Sequence, residues 1–191
     1  MIRIISKTGF LLITLSAFLL SSCKKDKNDN NNTNNDQKPI STATVTTVYI
    51  EALEENDSMS RFYGWNDADG PGGNQPLFDA FVLKANKSYE IFLNFEDGTN
   101  SSAIVDLNKD VIKPNSNNYK ICITGDQGLV ATAKDKDGNG RDLGLDYNIM
   151  AFQKGNGKLK ITIKDQKNVK NGDCDPGTVF WSFEFPLIVT D

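Results

Sequence analysis

The chain of 191 residues is 38% hydrophobic and 24% charged, with a formal net charge of −4, the composition of a globular protein rather than of a collagen-like, disulfide-dense or wholly disordered one. It contains no histidine, which removes imidazole-relayed serine and cysteine triads, His-Glu-x-x-His zinc peptidases and ordinary His-ligated zinc, copper or haem centres. Residues 40–191 carry 15 basic and 22 acidic side chains, a net of −7, with no basic stripe, which argues against nucleic acid and anionic lipid heads and suits cations.

Residues 1–22 read as a processing signal and are left out of fold reasoning. Arg3 and Lys7 form a positive start, and Gly9 to Leu20 an apolar run of 12 residues. That run is too short to span about 30 Å of hydrocarbon, which needs roughly 20 residues. Leu20-Ser21-Ser22-Cys23 follows and resembles the bacterial lipobox, in which a peptidase cuts directly before a diacylglycerol-bearing cysteine. Cys23 is therefore the expected acylated N-terminus, held in outer-membrane lipid by about 0.8 kcal/mol per buried CH₂. Residues 23–39 are that cysteine, then Lys24-Lys25-Asp26-Lys27 and a tract rich in asparagine. They have almost no apolar side chain with which to offset ordering entropy, so a disordered tether is expected. As a flexible coil it reaches about 20–25 Å from the membrane. Its charged start resembles the export signal that sends Bacteroidetes lipoproteins to the cell surface, which favours that location over the periplasmic face.

From residue 40 the dominant period is two, the mark of half-buried strands. Ser41 to Leu53 is a Thr/Val-rich run with Val48, Ile50 and Ala52 on one face. Phe62 to Trp65 follows, then a turn-rich segment through Gly73. Tyr89, Ile91, Leu93 and Phe95 alternate with Ser88, Glu90, Phe92 and Asn94. A helical turn or two is expected over Ala103–Val111, where Ile104, Leu107 and Val111 are spaced by three and four. Further strands are expected at 119–124, 129–134, 145–153 and 158–164. The last, 178–189, places Val179, Trp181, Phe183, Phe185, Leu187 and Val189 on one side. Glycine and asparagine turns separate these runs at short intervals. The expectation is an all-β, antiparallel β-sandwich (immunoglobulin-like) over residues 40–191, with at most one short helix.

Three features could carry chemistry. Asp135-Lys136-Asp137-Gly138-Asn139-Gly140-Arg141-Asp142-Leu143-Gly144-Leu145-Asp146 fits the spacing of a calcium loop, with ligands expected from Asp135, Asp137, Asn139, Arg141 (through its carbonyl) and Asp146. Against it, position 12 is Asp rather than Glu, and the flanks read as strands. A plain hairpin turn is the competing and favoured reading. In Trp65-Asn66-Asp67-Ala68-Asp69-Gly70-Pro71-Gly72-Gly73, Asp67 and Asp69 could join a cation site and Trp65 could stack on a flat ligand. A turn begun by a core tryptophan is the favoured reading there too. Cys122 and Cys174 are either bridged or two free thiols, because spacing alone supplies no geometry. No pair of carboxylates is singled out as a glycosidase dyad, and Walker, Gly-x-Ser-x-Gly and Gly-x-Gly-x-x-Gly signatures are absent.

Taken together, Trp65 to Gly73, Asp79 with Leu83 to Tyr89, Asp135 to Leu145, Gly157 to Ile161, Lys170-Asn171 and Phe183 to Leu187 resemble a family of small Bacteroidetes lipoproteins. The resemblance covers nearly all of residues 42–190. It implies an all-β surface or periplasmic lipoprotein grouped with TonB-dependent outer-membrane receptors, and hence a role in nutrient or metal uptake. Many members carry a histidine in the strand that here begins Asn117-Asn118-Tyr119. This chain has none, so a metal role resting on that histidine does not transfer. The expected function is a non-enzymatic, lipid-anchored accessory or ligand-binding protein for such a receptor. The rival is a structural or adhesive surface module, with calcium as the candidate ion.

Overall fold

The alternation of apolar and polar side chains resolves into eleven strands. The structure is a computed structural model that describes residues 43–191. The leader, Cys23 and the tether lie outside the described residues. The strands are β1 Thr47–Glu54, β2 Arg61–Asn66, β3 Leu77–Phe78, β4 Phe81–Lys84, β5 Ser88–Asp97, β6 Val105–Asp106, β7 Tyr119–Gly125, β8 Val130–Ala133, β9 Asp146–Met150, β10 Gly155–Asp165 and β11 Thr178–Thr190. One sheet runs β3-β2-β1-β5-β9-β8, with β6 added to β5; the other runs β4-β11-β10-β7. The fold is an all-β sandwich. One pair departs from the antiparallel rule: β4 lies parallel to β11, from Phe81 opposite Leu187 to Lys84 opposite Thr190.

The core is built from the inward residues of both sheets. Val48, Ile50 and Ala52 of β1 and Ile91, Leu93 and Phe95 of β5 face Leu159, Ile161 and Ile163 of β10 and Phe183, Phe185 and Leu187 of β11. Each buried side chain of this size contributes about 1.5–3 kcal/mol. Strands β3, β4 and β6 have no counterpart in the sequence reading; β3 and β6 are two residues each and carry no alternation to register.

Two local expectations shift. The helical segment is a π-type turn at Asn108–Ile112 followed by a tight turn series at Lys113–Asn118, later than the 103–111 window. Leu107, Val111 and Ile112 are buried, but Ile104 is 60% exposed. In β11, Ile163 pairs with Trp181 and Lys164 with Val179, so Phe180 is an extra residue. That bulge breaks the period of two and leaves Val179 49% exposed instead of inward.

β7 is covered on both faces. Tyr119, Ile121 and Ile123 belong to the core, while Lys120 and Cys122 on the opposite face are also buried. The layer over them is the 134–145 connection together with the loop between β10 and β11. The first closes the edge of β7, where Ile121 N–H donates to Leu143 C=O at 2.8 Å and Tyr147 Oη donates to Ile121 C=O at 2.7 Å. Gly144, at φ +96°, meets that same Ile121 carbonyl so closely that no side chain fits. Among the described residues, no helix is long and apolar enough to cross a membrane.

Candidate functional site

The two acidic, glycine-rich loops fold in opposite ways. In the 135–146 loop the carboxylates are consumed by the chain itself. Asp135 Oδ1 accepts from the backbone N–H of Gly144 at 2.8 Å and of Leu145 at 3.1 Å, and Asp146 N–H adds a longer bond at 3.3 Å. Asp137 Oδ1 accepts from Asn139 N–H at 2.8 Å and Arg141 N–H at 2.9 Å. Its Oδ2 lies 2.9 Å from Lys170 Nζ, and the two side chains are 0% and 1% exposed. Lys170 Nζ also donates to Ser116 C=O at 2.8 Å. Arg141 Nη1 donates to Lys170 C=O, and Asp142 pairs with Lys136.

The loop therefore brings Asp135 and Asp137 close in sequence but gives each its own donors, and the cation beside Asp137 is an ammonium group. Asn139 and Arg141 are exposed, and Asp146 opens β9 at the sheet surface. Burial pushes the Asp137 carboxyl up, but the Lys170 ammonium and the N–H groups of Arg141 and Asn139 outweigh it and hold it below the ordinary range. Asp146 moves the other way, raised by burial and by the nearby Asp135.

Lys170 sits here because its loop is fastened to the sandwich. Cys122 and Cys174 form a disulfide with Cα atoms 6.0 Å apart. Gln166 is fully buried, with N–H donating to Asn118 C=O and Nε2 donating to the carbonyls of Asp173 and Pro176. Lys164 Nζ caps the carbonyls of Cys174 and Asp175. Lys120, buried on the same outer face of β7, lies 5.8 Å from the centre of the Tyr147 ring. Desolvation holds its ammonium below the usual lysine range.

The loop after β2 has the opposite character. Its backbone is closed by Asp67 N–H to Thr46 C=O at 2.8 Å and Gly70 N–H to Asp67 C=O at 3.1 Å. Gly70 and Gly72 adopt φ of +77° and +95°, the region that glycine occupies freely. Asp69 Oδ2 accepts from Asn74 N–H at 2.9 Å and Asn74 Nδ2 at 2.8 Å. Asp67 is only 8% exposed, and its Oδ1 is buried with no hydrogen-bond partner. Burial, and then the neighbouring Asp69, raise the Asp67 carboxyl, whereas the Asn74 donors lower that of Asp69. Both residues line one groove of about 290 Å³ with Asn66, Asn74, Gln75 and Leu77.

Trp65, read from sequence as either a stacking residue or, the favoured reading, a core tryptophan, packs edge-on against Phe183, with ring centres 4.9 Å apart. Among the described residues the aromatic side chains offered to solvent include Phe62 at 65% exposed, Phe78 at 52%, Phe152 at 50% and Tyr49 at 40%. Sequence reading missed Phe62 in this role because alternation marks which residues share a face, not which face is outward. It also missed Lys170 as the ion partner of Asp137, since the two lie 33 positions apart with no shared motif. No protein-family model matches the chain, and comparison with curated proteins and with solved structures found no match.

Proposed function

We propose that this protein is a non-enzymatic outer-membrane lipoprotein that serves a TonB-dependent uptake receptor as a ligand-binding or accessory subunit. The observation that carries this reading is the order of parts: Leu20-Ser21-Ser22-Cys23, a polar tract to Pro39, and then a β domain. Acylation at Cys23 and a tether of that length hold a domain near its membrane partner at high effective concentration. The exposed apolar side chains of the first sheet support a macromolecular contact. Tyr49 and Phe62 line one depression with Asn94, Glu96 and Asp106, and Leu77 and Phe78 form the short strand at that sheet's edge. Large apolar side chains gathered at one place on a surface mark an interaction site more often than chance.

The test is affinity purification of the intact acylated protein from native outer membranes after cross-linking, with mass spectrometry of what is retained. A stoichiometric TonB-dependent receptor is the expected result, and Phe62→Ser should reduce its recovery. Recovery of the lipoprotein alone would overturn the proposal in favour of a free-standing surface module.

A further inference from the structure

We infer that the loop after β2 binds a divalent cation, with calcium the best fit, through the carboxylates of Asp67 and Asp69 in the groove they share with Asn66, Asn74 and Gln75. The inference holds whichever partner the domain serves. Its first support is the buried Asp67 Oδ1, which has no hydrogen-bond partner, although the carboxyl as a whole meets the Gly70 N–H and the Asp69 carboxylate. A buried, unpartnered carboxylate oxygen is costly, and proteins neutralise such groups with an ion pair, a metal or a proton. Among the described residues no ion pair reaches Asp67 or Asp69, and the salt bridges involve Glu54, Glu90, Asp137, Asp142, Glu184 and Asp191 instead.

The second support is the donor inventory around the groove. Asn74 uses its N–H and Nδ2 on Asp69, and Asn66 uses its Nδ2 on Thr47 Oγ1 at 3.2 Å. Both amides therefore keep a carbonyl oxygen to offer, and Gln75 lines the same groove. Two carboxylates and neutral amide oxygens form a hard, all-oxygen donor set of irregular geometry, which suits calcium better than the strict octahedron of magnesium. No group of three or more Asp, Glu, His or Cys side chains converges among the described residues. The low ligand charge places the affinity with the weaker calcium modules, at a Kd of about 0.1–1 mM.

The test is a calcium titration of the full acylated chain in detergent, read by thermal unfolding against a chelator control. In 10 mM calcium the melting temperature should rise by about 3–10 °C. Asp67→Asn and Asp69→Asn should each weaken the response at least tenfold in calcium concentration, while Asp135→Asn leaves the calcium-dependent shift intact. Asp69 is exposed, so its variant tests the site even if the Asp67 change lowers stability. An unchanged melt in calcium overturns the inference, and so does a shift that survives both variants or disappears with Asp135→Asn.

Discussion

The 135–146 loop and the loop after β2 are both short, acidic and rich in glycine, yet one has saturated its carboxylates and the other has not. In the first, five backbone N–H groups accept the role that a cation's coordination would otherwise play, and Lys170 supplies the positive charge beside Asp137. In the second, Asp69 is met by Asn74 and by the neighbouring Asp67 carboxyl, and Asp67 keeps a buried oxygen without a donor. The difference lies in what the fold delivers to each loop. The disulfide from Cys174 to the outer face of β7 holds the Lys170 loop over the 135–146 connection, whereas no lysine or arginine forms a salt bridge with Asp67 or Asp69 among the described residues. A calcium-like spacing is therefore weak evidence for an ion when the protein carries its own ammonium group to the same place.

The most direct way to break this contrast is Lys170→Ala, which strands Asp137 in a dry site. Loss of one partner from a buried ion pair costs about 3–5 kcal/mol, measurable as a lower urea midpoint. Removing the bridge by Cys122→Ala with Cys174→Ala frees a 52-residue separation and should cost about 2–4 kcal/mol. The two effects should be less than additive, because the bridge and the lysine fasten the same loop. A third measurement uses pH. The Asp137 carboxyl is held below its ordinary value of 3.8, so its contribution is complete above that value and is lost as pH falls through the lower folded value. Asp137→Asn should flatten the acid limb of stability against pH, and an unaltered limb would remove Asp137 from the account. The smallest effect is expected for Asp67→Asn without added ion. An amide there relieves the repulsion with Asp69 at similar shape, so stability should change by less than about 1 kcal/mol, in contrast to Lys170→Ala.

The strands with four or more alternations were legible in the chain: β5, β10 and most of β11 occupy the expected places because a half-buried strand must alternate. The helical turn was legible in kind but displaced, since Ile104 fits the spacing and still faces solvent. Val179 was misplaced by a bulge, a feature that depends on which residue of β10 stands opposite. Trp65 and Phe62 both lie on β2 with side chains leaving on opposite faces, and only the second sheet, with Phe183 in place, packs the partly buried Trp65 against the core.

The same distinction governs the loops. Aspartate, asparagine and glycine at close spacing dictate tight turns by local backbone geometry, and both segments turn as their residues require. Whether a carboxylate in such a turn is satisfied depends on groups far along the chain. Asp137 meets Lys170 because β10, β11 and the bridge from Cys122 to Cys174 carry the intervening loop back over β7. Asp67 is buried beside Thr46 and Asp69 without any such partner. Local sequence sets the conformation of a few residues; long-range packing sets which charges they meet, and that pairing separates a self-sealed turn from one that can take an ion.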